Sequence, residues 1–195
     1  MRFRKFPNLR HLDLGGIAFA NENQDFPPNM EYLRFHTGVT NWDFLMPDLN
    51  LLKNLKTLIF NDVNWLRPLS LHNILSNTTS TLSILSLDSC VNMGLGLRDC
   101  TERGCFDHLA ELSLSRLSKV DDDLLQILLV RMDQVKALHL SYTAVTGRTV
   151  KMLADARTSE ENKTARVERV WLKGCESVSS DAVAYGRARG LEVFL

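Results

Sequence analysis

Residue types that could do chemistry are few in this sequence, and they are scattered. The best metal-ligating spacing is Cys100-x4-Cys105-x2-His108, with Cys90 as the remaining thiol within reach. A structural zinc takes four ligands in tetrahedral array, and the short C-x2-C pair that usually supplies two of them is missing. Packed free thiols are therefore expected, with Cys90 and Cys175 on an inward face and Cys100 and Cys105 on loop or helix ends. Asp121-Asp122-Asp123 resembles a cation site, but an apolar run of helical spacing follows at once, so helix capping and the helix dipole account for it better. The five histidines, His11, His36, His72, His108 and His139, occupy unrelated positions and imply no acid–base or metal cluster. No G-x-S-x-G elbow, phosphate-cradling glycine loop or H-E-x-x-H helix occurs. The expectation is a chain with no catalytic residue, no cofactor and no metal.

The elements that position these side chains follow from composition and periodicity. The chain has 195 residues, 45% hydrophobic and 24% charged, within the range of ordinary folded domains. Its 23 basic residues cancel 23 acidic ones, which removes the electrostatic drive for nucleic-acid binding. The most apolar stretch, Leu124 to Val130, falls far short of the roughly 18 residues of a membrane span, so neither nucleic acid nor membrane is an expected partner. Met1 to Pro7 is basic without an apolar run behind it, unlike a secretory signal. A cytoplasmic or nuclear location follows, where four cysteines stay reduced.

One pattern, apolar-x-x-apolar-x-apolar, recurs along the whole length. It reads Leu9, Leu12, Leu14 at its first occurrence and Val167, Val170, Leu172 at its seventh. Starts fall at 9, 30, 55, 82, 109, 135 and 167, and an eighth, Leu191 with Phe194, is cut off by the chain end. Most intervals lie in the 20–29 range of leucine-rich repeats. Alternation in the second half of each motif places two apolar side chains on one face of a short strand, and no single repeat can cover that face alone. Stacked repeats solve this, so one domain over residues 1–195 is expected. Its class is α/β, a right-handed horseshoe solenoid with a parallel inner sheet of seven to eight strands.

The outer segments should differ along the chain. All five prolines, Pro7, Pro27, Pro28, Pro47 and Pro68, precede residue 69, so early outer segments should be loops or turns. Residues 120–128 and 145–153 have cap-type residues ahead of helically spaced apolar ones, so later outer segments should be helices. The polar stretch 157–164 reads as a loop insertion within one connection.

Strand residues pointing away from the core form a concave ladder, and function belongs there. One column reads Asp13, Arg34, Ile59, Ser86, Ser113, His139, Trp171, and its neighbour ends in Lys173. Aromatics and arginines dominate interface energetics. Arg34, His139, Tyr142, Arg169, Trp171 and Lys173 are therefore the candidate partner-binding residues, with a protein target as the expected partner.

Repeats four to seven resemble the cysteine-containing leucine-rich repeats of F-box proteins, whose consensus runs LxxLxLxxCxxITDxxLxxL. Cys90 and Cys175 occupy its cysteine position; Val120-Asp121-Asp122, Val145-Thr146 and Val178-Ser179-Ser180 approximate its I-T-D step. The resemblance implies the target-binding part of a substrate receptor in an SCF-type ubiquitin ligase. The adaptor would then be met only through an F-box, which these residues do not contain and which is expected upstream.

Overall fold

The computed structural model describes residues 5–16, 26–37, 52–78, 81–93, 96–158 and 167–195. Eight strands form one sheet in sequence order, every neighbouring pair parallel. They are β1 (His11–Gly15), β2 (Tyr32–His36), β3 (Thr57–Asn61), β4 (Ile84–Ser86), β5 (Glu111–Ser113), β6 (Ala137–His139), β7 (Arg169–Trp171) and β8 (Glu192–Phe194). Five helices lie on the return path: α1 (Pro68–Thr78), α2 (Leu97–Glu102), α3 (Asp122–Arg131), α4 (Gly147–Thr158) and α5 (Ser180–Ala188). This is a leucine-rich-repeat solenoid, one strand per repeat.

The core is the stack of inward strand residues. Leu33, Leu58, Leu85, Leu112, Leu138 and Val170 pair in register down the sheet, and all are fully buried. Each such side chain contributes about 1.5–3 kcal/mol of transfer free energy. In β2 and β3 the second inward column is aromatic, with Phe35 and Phe60 stacked at 5.5 Å between ring centroids.

After six of the eight strands the chain turns sharply through a left-handed residue. Gly16, Asp62, Ser89, Arg116, Tyr142 and Gly174 all have positive φ at the same place in their repeats. The residues that follow the last five of these turns, Val63, Cys90, Leu117, Thr143 and Cys175, are all buried. There the thiol of Cys90 donates to the Phe60 carbonyl of the preceding repeat (3.6 Å), and Cys175 donates to the Leu140 carbonyl (3.1 Å). Cysteine suits this position because it packs as a small apolar group and still offers a weak donor to a strand-end carbonyl.

Four of the five described helices begin at Leu97 or later, as the sequence implies. The exception, α1, corrects the expectation that proline keeps the early outer segments irregular. Pro68 is its first residue, where the missing N–H has no intrahelical partner to lose and the fixed φ suits the helix. Leu71, Ile74 and Leu75 then form its buried face. The two earlier outer segments, and residues 159–164 of the expected loop insertion, lie outside the described residues.

The eighth motif also differs from its reading. Leu191 and Phe194 match the apolar spacing, which would turn Phe194 inward. In the structure Val193 pairs with Val170 and is buried, while Phe194 pairs with Trp171 on the concave face and is 42% exposed. With a side-chain period of two, a one-residue shift moves every side chain to the opposite face.

Candidate protein-binding face

Parallel register fixes the concave column residue by residue: Asp13, Arg34, Ile59, Ser86, Ser113, His139 and Trp171 face one another across successive strands, and Phe194 completes the line. The candidate residues fall into two groups. Arg34 sits near the N-terminal end, its Nη1 3.6 Å from Asp13, to which His36 also turns at 3.3 Å. Four strand spacings, about 19 Å, separate it from His139.

At the C-terminal end the candidates converge. The His139 and Trp171 rings are stacked at 4.0 Å and 4° to each other, and Trp171 is stacked on Phe194 at 4.8 Å. Three parallel strands thus carry one continuous aromatic run. Glu111 fixes its inner end, its Oε1 lying 3.0 Å from His139 Nε2. Arg169, on the adjoining column, places its guanidinium carbon 5.8 Å from the centre of the Trp171 ring. Lys173 is exposed just beyond β7.

Tyr142 comes to this face by a different route, since it occupies the left-handed turn after β6 rather than the strand. The guanidinium of Arg116, at the same turn one repeat earlier, lies 4.9 Å from its ring centre. On the other side a Cβ at Gly174 would sit 2.4 Å from the ring, so glycine there serves both its φ of +70° and the approach of Tyr142. Arg116 and Phe194 were absent from the sequence-based set. The first could have been found by aligning the residue that precedes the conserved-spacing inward position in each repeat; the second needed the correct strand register.

Between the two groups the face is small and polar. Asp88 Oδ1 accepts hydrogen bonds from Ser113 Oγ (2.5 Å) and the Ser115 N–H (2.9 Å), which gives the hydroxyl of Ser113 a role at the centre. A cavity of about 320 Å³ opens here, with Arg34, Ser86, Glu111, Ser113 and His139 among its walls. Two buried atoms in that wall, Ser86 Oγ and Arg34 Nε, have no hydrogen-bond partner among the described residues. Charge ladders run along the strand entries: a hydrogen bond from Lys56 holds the Glu31 carboxyl below its ordinary pKa, and Lys136 does the same for Glu168.

The metal-type spacing does not assemble a site. His108 is exposed, and the imidazole that meets Cys105 is that of His72 in α1, with Nδ1 3.2 Å from Sγ. Among the described residues no three His, Cys, Asp or Glu side chains are grouped to hold a metal ion. Nor is any described helix long and apolar enough to cross a membrane.

No family model matches the sequence, and no curated protein matches it. Structure does find a likeness: a chain in the crystal structure of the Rad7 and Elc1 complex from yeast superimposes with a TM-score of 0.55 at 15% identity. The match covers 93% of this chain and 56% of that one, so this chain spans a little over half the length of its structural neighbour. At that identity the likeness shows the fold alone.

Proposed function

We propose that this chain is a non-enzymatic recognition module that binds a protein or peptide on its concave face. The observation that carries the reading is the stacked run His139–Trp171–Phe194, flanked by Arg169, Arg116–Tyr142 and Lys173. Stacking holds these rings in place before any partner arrives, so little side-chain entropy is lost on binding. Tryptophan, tyrosine and arginine are also the types that most often carry interface hot spots. The Ser86 hydroxyl and Arg34 Nε, without a hydrogen-bond partner among the described residues, supply polar contacts for the rest of an extended target. The neighbouring structure being a complex of two proteins agrees with this class of function.

The finer reading rests on the cysteine-type repeat resemblance carried by Cys90 and Cys175. It makes the module the target-binding part of an F-box-type receptor in an SCF ubiquitin ligase, with adaptor contacts made by residues outside this chain. Affinity capture with the wild-type chain, followed by titration of the recovered partner against a His139→Ala, Tyr142→Ala, Trp171→Ala variant, tests the binding face. Each true hot spot should cost about 2 kcal/mol or more, roughly thirtyfold in Kd, while circular dichroism stays unchanged. Unaltered affinity would place the partner elsewhere on the molecule.

A further inference from the structure

Outside the concave face, the most reactive chemistry gathers on the outer side where α1 meets α2. Helix α2 ends in a turn of defined geometry: Gly104 has a φ of +73°, its N–H donates to the Thr101 carbonyl (2.9 Å), and the Cys105 N–H donates to the Cys100 carbonyl (3.0 Å). These two bonds make a Schellman motif, in which the residue two beyond the helix cap folds back onto the residue three before it. Here both residues are cysteines, and the backbone bond between them brings Cys105 back beside Cys100.

The surroundings treat the two sulfurs differently. Cys100 is directed at the Pro68 carbonyl, 3.6 Å away, whereas Cys105 faces the imidazole of His72 at 3.2 Å. The hydrogen bond from Cys100, with His72 and Arg103 nearby, holds the Cys105 thiol down to about 6, and the same shared hydrogen bond pushes Cys100 up. Burial instead pushes Cys90 up to about 12. A surface cavity of about 400 Å³ opens on Cys100 and on His72, the imidazole that meets Cys105, with Arg67, Leu69, Asp99 and Arg103 also among its walls. A thiol paired with an imidazole that itself borders a solvent-reachable cleft is the environment of a reactive cysteine.

We infer that Cys105 and Cys100 form a redox-active dithiol that hydroperoxides oxidise to an intrachain disulfide, with His72 as the proton carrier. His72 takes the Cys105 proton, and the thiolate attacks one peroxide oxygen: an S–O bond forms and the O–O bond breaks. The departing alkoxide or hydroxide takes the proton back from His72. Sulfur loses two electrons and the peroxide gains them, leaving Cys105 as a sulfenic acid. The Cys100 thiol then attacks that sulfur, the S–S bond forms, and water leaves carrying the Cys100 proton. In sum, two thiols and one hydroperoxide give a disulfide, one alcohol or water, and one water.

The experiment uses the intact 195-residue chain, exposed to hydrogen peroxide in the native state and mapped by differential alkylation and peptide mass spectrometry. The expected product is a Cys100–Cys105 disulfide, with Cys105 consumed at least about tenfold faster than Cys90. In Cys100→Ser the second step is blocked, and dimedone should label Cys105 as its sulfenic acid; in Cys105→Ser, Cys100 should stay reduced and unlabelled. Oxidation of Cys90 or Cys175 as fast as Cys105, a disulfide between two chains, or four thiols surviving peroxide intact would each overturn the assignment.

Discussion

Three consecutive aspartates at the start of α3 show how much a residue's role depends on which repeat it reaches. Asp121 is the N-cap, its Oδ1 accepting the Leu124 N–H at 2.9 Å, as the sequence implied. Asp122 points across to the next repeat and accepts from the Thr146 N–H (2.9 Å), Thr146 Oγ1 (2.7 Å) and Thr149 Oγ1 (2.5 Å). Asp123 meets Arg148 Nη1 at 2.8 Å. The cap was legible because it is local. The pin was not, because its partners lie 24 and 27 residues away. Asp122→Ala should therefore cost about 2 kcal/mol in denaturant unfolding, as expected for hydrogen bonds to a charged group, against about 1 kcal/mol for Asp121→Ala. Burial opposes the Asp122 charge, but the hydrogen bonds from Thr149 and Thr146 outweigh it and hold the carboxyl below its ordinary value. A folded pKa below the unfolded one gives stability that is full above about pH 4 and lost as pH falls through the folded value. Asp122→Asn should flatten that acid limb of the stability curve.

At the level of elements, the strands were legible and their connections less so. Seven strands follow from a pattern in which each apolar pair must face the same side. The eighth was misplaced by one residue because Leu191, Val193 and Phe194 are all apolar and spacing alone does not choose between them. Helix α1 was hidden by Pro68, whose usual effect as a breaker reverses at a first helical position. Pro68→Ala should thus change stability by less than about 1 kcal/mol, since the ring offsets its own constraint there, whereas Ile74→Pro should cost about 3 kcal/mol or more and abolish the α1 helical signal. Thermal unfolding of the two variants, side by side, checks this. A large loss from Pro68→Ala would mean that the proline ring, and not the helix start, is what the site requires. The thiol pair was legible only as a spacing; that His72 rather than His108 meets Cys105 depends on how α1 packs against α2.

For the whole molecule, stacking converts short motifs into two continuous surfaces: an inward ladder of leucines and an outward ladder whose chemistry changes from end to end. The outward ladder is ion-paired at Arg34 and Asp13, hydrogen-bonded at Asp88 and Ser113, and aromatic from His139 to Phe194. Because adjacent repeats share every contact in that last stretch, the platform exists only in the stacked fold. Its columns were readable from sequence before any strand was placed, while the stacking that makes them rigid was not. The most direct test is site-specific photocrosslinking, with one crosslinker at position 171 on the concave face and another at position 126, where Gln126 is exposed on α3. The concave-face account predicts that a protein partner crosslinks from position 171 and that the Tyr142→Ala background weakens the adduct, while position 126 stays silent. Crosslinking from position 126 with none from 171 would contradict it.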